Sequence, residues 1–133
     1  MTVERTQTYH LKPAHTDERG EIWDLVESAE IRHVGFILSK AGAVRGNHYH
    51  KKATQYTYIL SGKAEWVTKD LRDAGAELKS EILVAGDLAV TEPEVAHALI
   101  ALEDTEFLDL TNVSRAEGGY EADTFRIQLK RSE

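Results

Sequence analysis

Short runs of alternating apolar and polar residues dominate the chain, and isolated glycine, proline and acidic residues interrupt them. Alternation with a period of two is typical of strands that bury one face. The pattern predicts strands over residues 21–27, 32–39, 44–50, 54–61, 63–69, 77–83, 87–91, 95–102, 106–113 and 123–129. No segment keeps the roughly 3.6-residue period of an amphipathic helix. Short strands at close spacing predict an all-β sandwich or small barrel, whose interior can hold one small ligand.

Length and composition narrow the class of protein. The chain has 133 residues, which suits one domain, and we predict a single domain over residues 1–133. A hydrophobic share of 41% is enough for a packed core and argues against disorder. No apolar run is long enough for a membrane helix, and the charged first residues do not resemble a secretory signal. We therefore expect a cytoplasmic protein that does not contact a membrane.

Charge and cysteine content exclude further classes. Sixteen Lys and Arg residues against 23 Asp and Glu give a net charge of −7, which disfavours general binding to nucleic-acid phosphates. The absence of cysteine excludes disulfides, a thiol nucleophile and iron–sulfur clusters. Any bound metal must therefore be held by nitrogen and oxygen ligands, which draws attention to the histidines.

Two histidines, His48 and His50, lie two residues apart in a predicted strand, so both imidazoles project from one face. Imidazoles at this spacing can converge on one metal, although an isolated pair is more often a surface feature. His97 on a later strand adds a third nitrogen ligand if that strand lies beside the first. Gln55 offers a carbonyl oxygen, either as a fourth ligand or as a contact for the substrate.

Two groups of residues give the histidines a family context. The first group is Gly42, His48-Tyr49-His50, Gln55 and Gly62, and the second is Gly86-Asp87, Pro93 and His97. Together they resemble the two motifs of the cupin superfamily over about residues 35–100. The resemblance implies a double-stranded β-helix, or jelly-roll barrel. It also implies one divalent transition metal on His48, His50, His97 and Gln55, which stands where a glutamate is usual. Zinc, iron, nickel, manganese and copper all suit such ligands.

A narrower resemblance rests on Arg45-Gly46-Asn47-His48-Tyr49-His50-Lys51 and on Asp17-Glu18-Arg19-Gly20. Both segments are similar to those of nucleotide-sugar 3,4-ketoisomerase cupins, and the first also resembles the cupin domain of capsular-polysaccharide biosynthesis reductases. The ketoisomerase resemblance implies that His48 and His50 are acid/base residues and that Arg45 contacts the substrate. Lys51 is a further candidate for an anionic substrate. His97 favours the metal-bound variant of the reductases, because the ketoisomerases usually lack this histidine.

Three functions stay open on these grounds. The first is a metal-dependent, isomerase- or epimerase-like enzyme acting on a small keto or hydroxy substrate such as a sugar or nucleotide sugar. The second is an Fe(II)-dependent dioxygenase, and the third is a non-catalytic module that binds a small ligand. We also expect a homodimer, because an inward Gln55 leaves Tyr56 and Tyr58 facing outward.

Some residues carry weaker expectations. Trp23 and Trp66 are predicted to lie in the core, whereas His10 and His15 are predicted to be exposed and to lack a companion at ligand spacing. Asp109 shares a strand face with Thr111 and is a weak candidate for the interior.

Overall fold

The computed structural model describes residues 6–27 and 29–129. Almost all regular structure in this part of the chain is strand, as the alternating pattern predicts. The strands are β1 (Thr6–His10), β2 (His15–Asp17), β3 (Gly20–Ile22), β4 (His33–Ser39), β5 (Val44–His50), β6 (Gln55–Ser61), β7 (Lys63–Asp70), β8 (Lys79–Val84), β9 (Asp87–Thr91), β10 (Val95–Ala101), β11 (Thr105–Thr111) and β12 (Thr124–Arg126). A 3₁₀ turn at Ala116–Gly118 leads into one short helix, α1 (Gly119–Ala122).

Ten of these strands form two five-stranded sheets, with orders β1-β9-β6-β11-β4 and β12-β5-β10-β7-β8. All the pairings within them are antiparallel, and most join strands that are distant in sequence. The remaining two strands, β2 and β3, form a separate hairpin. This arrangement is the jelly-roll double-stranded β-helix, so the predicted all-β fold class is confirmed.

The inward faces of the two sheets change character along the strands. One part of the interior is an apolar cluster of Ile59, Ala64, Trp66, Leu83, Ala89, Leu99 and Phe107. Moving two residues along three of these strands replaces Ile59 by Thr57, Leu99 by His97, and Phe107 by Asp109. All three of these polar residues are buried. The barrel therefore has an apolar closed half and a polar half.

Several predicted strands need correction. Residues 44–50 and 87–91 coincide with β5 and β9, but the segment 21–27 continues as strand only to Ile22, and 123–129 contains strand only over Thr124–Arg126. The pattern missed β1, whose sequence TQTYH does not alternate, because this strand is held by its pairing with β9. It also missed β2, a strand of only three residues.

The β2–β3 hairpin explains the Asp-Glu-Arg-Gly segment in physical terms. Asp17 accepts hydrogen bonds from the Arg19 amide at 2.9 Å and from its guanidinium at 2.7 Å. Gly20 follows with φ +133°, a backbone conformation that side chains disfavour. These contacts lie in a hairpin outside the two large sheets, so they define a turn.

Aromatic side chains follow the predictions in part. Trp66 is buried in the apolar cluster as predicted, whereas Trp23 is 37% exposed, because the strand expected around it ends at Ile22. Gln55 and Thr57 are buried in the interior. Tyr56 and Tyr58 occupy the alternate positions of β6, but Tyr58 is only 7% exposed, so the expected outward tyrosine pair does not form an exposed surface. No helix of the described residues has the length and apolar character needed to cross a membrane.

Candidate active site

The polar half of the barrel contains a cavity of about 580 Å³ between the two sheets. This volume lies within the range of small-molecule sites, roughly 300–1,000 Å³. Both sheets contribute to its wall, together with the chain around α1. The lining residues include His48, Gln55, Thr57, Trp66, His97, Asp109, Tyr120 and the arginines Arg45, Arg115 and Arg126.

The structure brings His48, His50 and His97 together. Strands β5 and β10 are neighbours, and His48 lies directly opposite His97 in their register. The ring centroid of His48 is 4.8 Å from those of both His50 and His97, and the centroids of His50 and His97 are 5.5 Å apart. Ligand nitrogens of all three lie within 4.8 Å of one another. The sequence pattern predicted this juxtaposition, which depends on strands distant in the chain.

A bulge in β5 sets the register that aligns the histidines. The pairing between β5 and β10 shifts by one residue between His97 and Ala98, at Gly46 and Asn47 of β5. Gly46 has φ +85°, and a Cβ at this position would lie 2.8 Å from the carbonyl oxygen of His97. Only glycine fits here without moving the backbone of the third histidine. The sequence motif contains this glycine, but its physical role was not apparent without the pairing.

Hydrogen bonds fix the tautomers of two histidines. Nδ1 of His50 lies 3.0 Å from the carbonyl oxygen of Asp123, and Nδ1 of His97 lies 3.2 Å from that of Val95. A carbonyl can only accept, so each Nδ1 carries the proton and each neutral ring keeps a lone pair on Nε2. Nε2 of His97 is buried and has no hydrogen-bond partner among the described residues. Such an atom calls for a ligand.

The protonation states also suit a metal. Burial, with smaller contributions from His50 and Arg126, lowers the pKa of His48 to about 4. Burial, followed by the charges of His48 and His50, holds the pKa of His97 well below its usual range. Both rings are therefore neutral near pH 7, which is the form that coordinates a metal.

Gln55 completes the cluster from the opposite sheet. Its Oε1 lies 3.2 Å from Nε2 of His50, and its Nε2 lies 3.1 Å from Oγ1 of Thr57. In the neutral form of His50 that carries its proton on Nδ1, two acceptors face each other across the first contact. A cation between them, or an amide turned by 180° about its last bond, removes the repulsion. Three imidazole nitrogens and one amide oxygen form a donor set that fits a divalent transition metal.

Arginines give part of the cavity a positive charge. Arg45 lines it and donates to Oγ of Ser39 at 3.0 Å and to the Leu38 carbonyl at 3.2 Å. Arg126 lines it from β12 and donates to the Gly46 carbonyl at 3.3 Å. Within the described part of the chain, neither guanidinium is paired with a carboxylate. Both are therefore suited to an anionic ligand.

Lys51, the other predicted contact for an anion, is not among the cavity residues. Its ammonium lies 4.5 Å from the centre of the Phe125 ring, and that ring stacks on Tyr49. Phe125 lies between Thr124 and Arg126, which line the cavity, and strand alternation turns it to the other face. The structure thus places the Lys51 ammonium on the outside of the sheet.

Asp123 positions His50, and sequence reasoning did not identify it. Its carboxylate accepts hydrogen bonds from the backbone N–H groups of Lys51, Lys52 and Ala53 at 2.9–3.1 Å. Its backbone carbonyl accepts a hydrogen bond from Nδ1 of His50. The carboxylate thereby fixes the loop that leaves β5. The sequence contained little that could have identified Asp123, because it is separated from His50 by 73 residues and belongs to no recognisable motif.

A comparison with family models decides which family this architecture belongs to. The model for the polysaccharide biosynthesis C-terminal domain matches residues 15–125. The chain belongs to this family. The chain is also 27% identical over 59 residues to a UDP-2-acetamido-2,6-beta-L-arabino-hexul-4-ose reductase of Pseudomonas aeruginosa. That match covers 44% of this chain and 16% of the reductase, so the chain spans only a small part of that relative.

Solved structures share the fold of this domain at low sequence identity. The RmlC epimerase of Mycobacterium tuberculosis matches with a TM-score of 0.79 and 19% identity, over 97% of this chain and 72% of that chain. The 3′-monoepimerase ChmJ of Streptomyces bikiniensis, solved with dTDP-quinovose, gives 0.80 and 17% over the same shares. A 3,4-ketoisomerase of Helicobacter canadensis gives 0.74 and 21%, over 91% of this chain and 90% of that chain. These likenesses confirm the jelly-roll fold of the domain.

Proposed function

We propose that this domain is an isomerase- or epimerase-like enzyme acting on a keto form of a nucleotide sugar, with a divalent transition metal on His48, His50, His97 and Gln55. The observation that carries the proposal is the convergence of three imidazoles at the cavity wall, where Nε2 of His97 is buried without a hydrogen-bond partner among the described residues. The family, the relative and the structural neighbours named above support a sugar substrate.

The cavity residues fit the chemistry of such a reaction. Moving a proton next to a carbonyl requires the developing negative charge on oxygen to be stabilised and the proton to be held by a nearby group. A bound divalent metal supplies Lewis acidity at a carbonyl oxygen. Arg45 and Arg126 would bind the diphosphate of the substrate, because a guanidinium presents paired donors to phosphate oxygens.

Metal analysis tests the metal part of the proposal. We expect elemental analysis to find about one transition metal ion per chain in the purified protein. His48→Ala and His97→Ala should each reduce the bound metal to about a tenth or less. His15→Ala is the matched control, because its exposed imidazole contacts Asp17 in the outer hairpin. Unchanged metal content in both cavity variants would refute the metal site.

Proton exchange tests the reaction. The metal-loaded protein is incubated in D₂O with a dTDP-4-keto-6-deoxyhexose, and NMR follows the protons next to the carbonyl. We expect exchange and a new sugar isomer without consumption of oxygen. Oxygen uptake by an iron-loaded protein would indicate the dioxygenase instead, and tight binding without exchange would indicate a binding module.

A homodimer and a cytoplasmic location accompany this proposal. The apolar side chains that support self-association lie on β4, where Val34, Phe36 and Leu38 are 60%, 58% and 48% exposed. They occupy alternate positions of a strand at the edge of its sheet, and so form one apolar stripe. Light scattering should give a dimer mass, and Phe36→Glu should shift it to the monomer. Cell fractionation tests the location.

A further inference from the structure

The carboxyl group of Asp109 lies in the same cavity as the histidines, on the other sheet. Asp109 belongs to β11, and its side chain is 4% exposed. His48 and His97 belong to β5 and β10 of the facing sheet, and all three residues line the cavity. A ligand held at the histidines therefore has Asp109 on the opposite wall.

The surroundings of Asp109 leave it without a structural partner. Oδ1 is buried and has no hydrogen-bond partner among the described residues. Its cross-strand neighbours are Thr57, whose hydroxyl contacts Gln55, and Gly35, which has no side chain. A buried carboxyl without partners costs folding free energy. Such groups are found where function requires them.

Two other buried carboxylates show the contrast. Asp87 contacts Nδ1 of His10 at 2.7 Å and accepts the Val84 amide at 2.9 Å. Asp123 accepts three successive backbone amides. Each of these groups has a structural task that accounts for its burial, and Asp109 has none of this kind in the described residues.

Burial also moves Asp109 into the range of a useful base. Loss of solvent raises the pKa of its carboxyl to about 6, and Arg115 opposes the increase. The titratable or charged groups around it are Arg115, Tyr120 on α1, His33 on β4, and the cavity residues His48, His97, Glu121 and Arg126. Near neutral pH such a carboxyl can both accept and return a proton.

We propose that Asp109 is the catalytic residue that removes the proton from the carbon next to the substrate carbonyl, from the cavity wall opposite the three histidines. This inference rests on the function proposed above. The C–H bond breaks, its electron pair forms the C=C bond of an enolate, and the carbonyl oxygen takes the negative charge. The Asp109 carboxyl takes the proton and exchanges it with solvent before a proton, or a deuteron in D₂O, is delivered back to carbon, so the step needs no oxidant or reductant.

The test compares Asp109→Asn with Glu106→Gln in the D₂O exchange experiment. Glu106 lies on the same strand but at an alternate, outward position, where it accepts a hydrogen bond from Ser61. The same chemical change is thus made inside and outside the cavity. We expect Asp109→Asn to slow exchange by about 10²–10⁴-fold, and Glu106→Gln to leave it unchanged. The affinity for dTDP and the metal content should change little in either variant.

The pH dependence adds a readout that a purely structural role would not move. The wild-type exchange rate should fall on the acid side with a midpoint near the raised pKa of about 6, and this limb should be lost in the residual rate of Asp109→Asn. Wild-type-like exchange in Asp109→Asn would overturn the role of Asp109 alone. Absence of exchange in the wild type, at any metal loading, would overturn both the role and the proposed function.

Discussion

The closed and polar halves of the barrel are built from the same strands, and their inward residues lie two positions apart along each strand. In the closed half Ile59, Leu99 and Phe107 pack together, and Leu99 and Phe107 also border the cavity. Two residues along each strand, Thr57, His97 and Asp109 line the cavity with polar groups. Residues two apart share a face, so both sets are buried between the same sheets. The comparison shows that stability and binding chemistry can occupy adjacent layers of one β-barrel interior.

The largest effect on stability should come from the closed half. Ile59 is fully buried, so Ile59→Ala removes packed methyl groups and leaves a cavity, at a cost of about 2–5 kcal/mol in the free energy of unfolding. Ile82→Ala is the control, since Ile82 is 47% exposed, and it should cost less than about 1 kcal/mol. Urea unfolding measures both. Equal losses would show that the apolar cluster is not the stabilising layer.

In the polar half, Asp109→Asn should increase the free energy of unfolding at neutral pH, whereas Ile59→Ala decreases it. The folded-state pKa of Asp109 is about 6 against an ordinary value of 3.8, so the folded state binds more protons between these values. The contribution of Asp109 to stability is therefore most favourable below about pH 4 and falls as the pH rises to about 6, by roughly 3 kcal/mol. The variant should be more stable than the wild type by about this amount at pH 7, and equally stable at pH 3.5. A destabilised variant at pH 7 would contradict the unpaired state of the carboxyl.

Asp123→Asn tests the support of the polar half. The amide group places donors among three backbone N–H groups, so we expect a loss of about 1.5–3 kcal/mol and weaker metal binding through His50. Asp73→Asn is the control, because the Asp73 carboxylate accepts a single hydrogen bond from the described residues, from the Gly75 amide in an exposed turn. Thermal unfolding and metal titration give the two readouts. Unaltered metal affinity would show that Asp123 does not position His50.

The smallest effect concerns β1, the edge strand of its sheet. Hydrogen bonding to Asp87 raises the pKa of His10, an exposed residue on β1. A raised folded-state pKa adds stability that is complete below the unfolded pKa of about 6.5 and is lost as the pH rises through the folded value. His10→Ala should therefore lower the thermal midpoint slightly at pH 5 and leave it unchanged at pH 9. An equal change at both values would indicate packing rather than charge.

The local pattern of apolar, polar and turn-forming residues predicted most of the strands, and the strands and core residues that it predicted wrongly have a common cause. β5 and β9 were predicted with their observed bounds, because glycine and proline mark breaks beside them, Gly42 before β5 and Gly86 and Pro93 around β9. β1 has neither apolar alternation nor such breaks and is a strand because β9 offers it hydrogen bonds. Trp23 was predicted to be buried from its residue type, but no strand extends to its position. Pairing between distant segments is absent from a local pattern.

The sequence by itself determined the all-β class, the two motifs and the shared face of His48 and His50, because these follow from residue identity and a period of two. Only the tertiary structure decided which residues meet. The β5–β10 register places His97 opposite His48, and the bulge at Gly46 permits it. The packing of two sheets buries Oδ1 of Asp109 without a hydrogen-bond partner among the described residues. Proton affinity, metal coordination and burial all depend on distances across strands, which the order of residues along the chain does not contain.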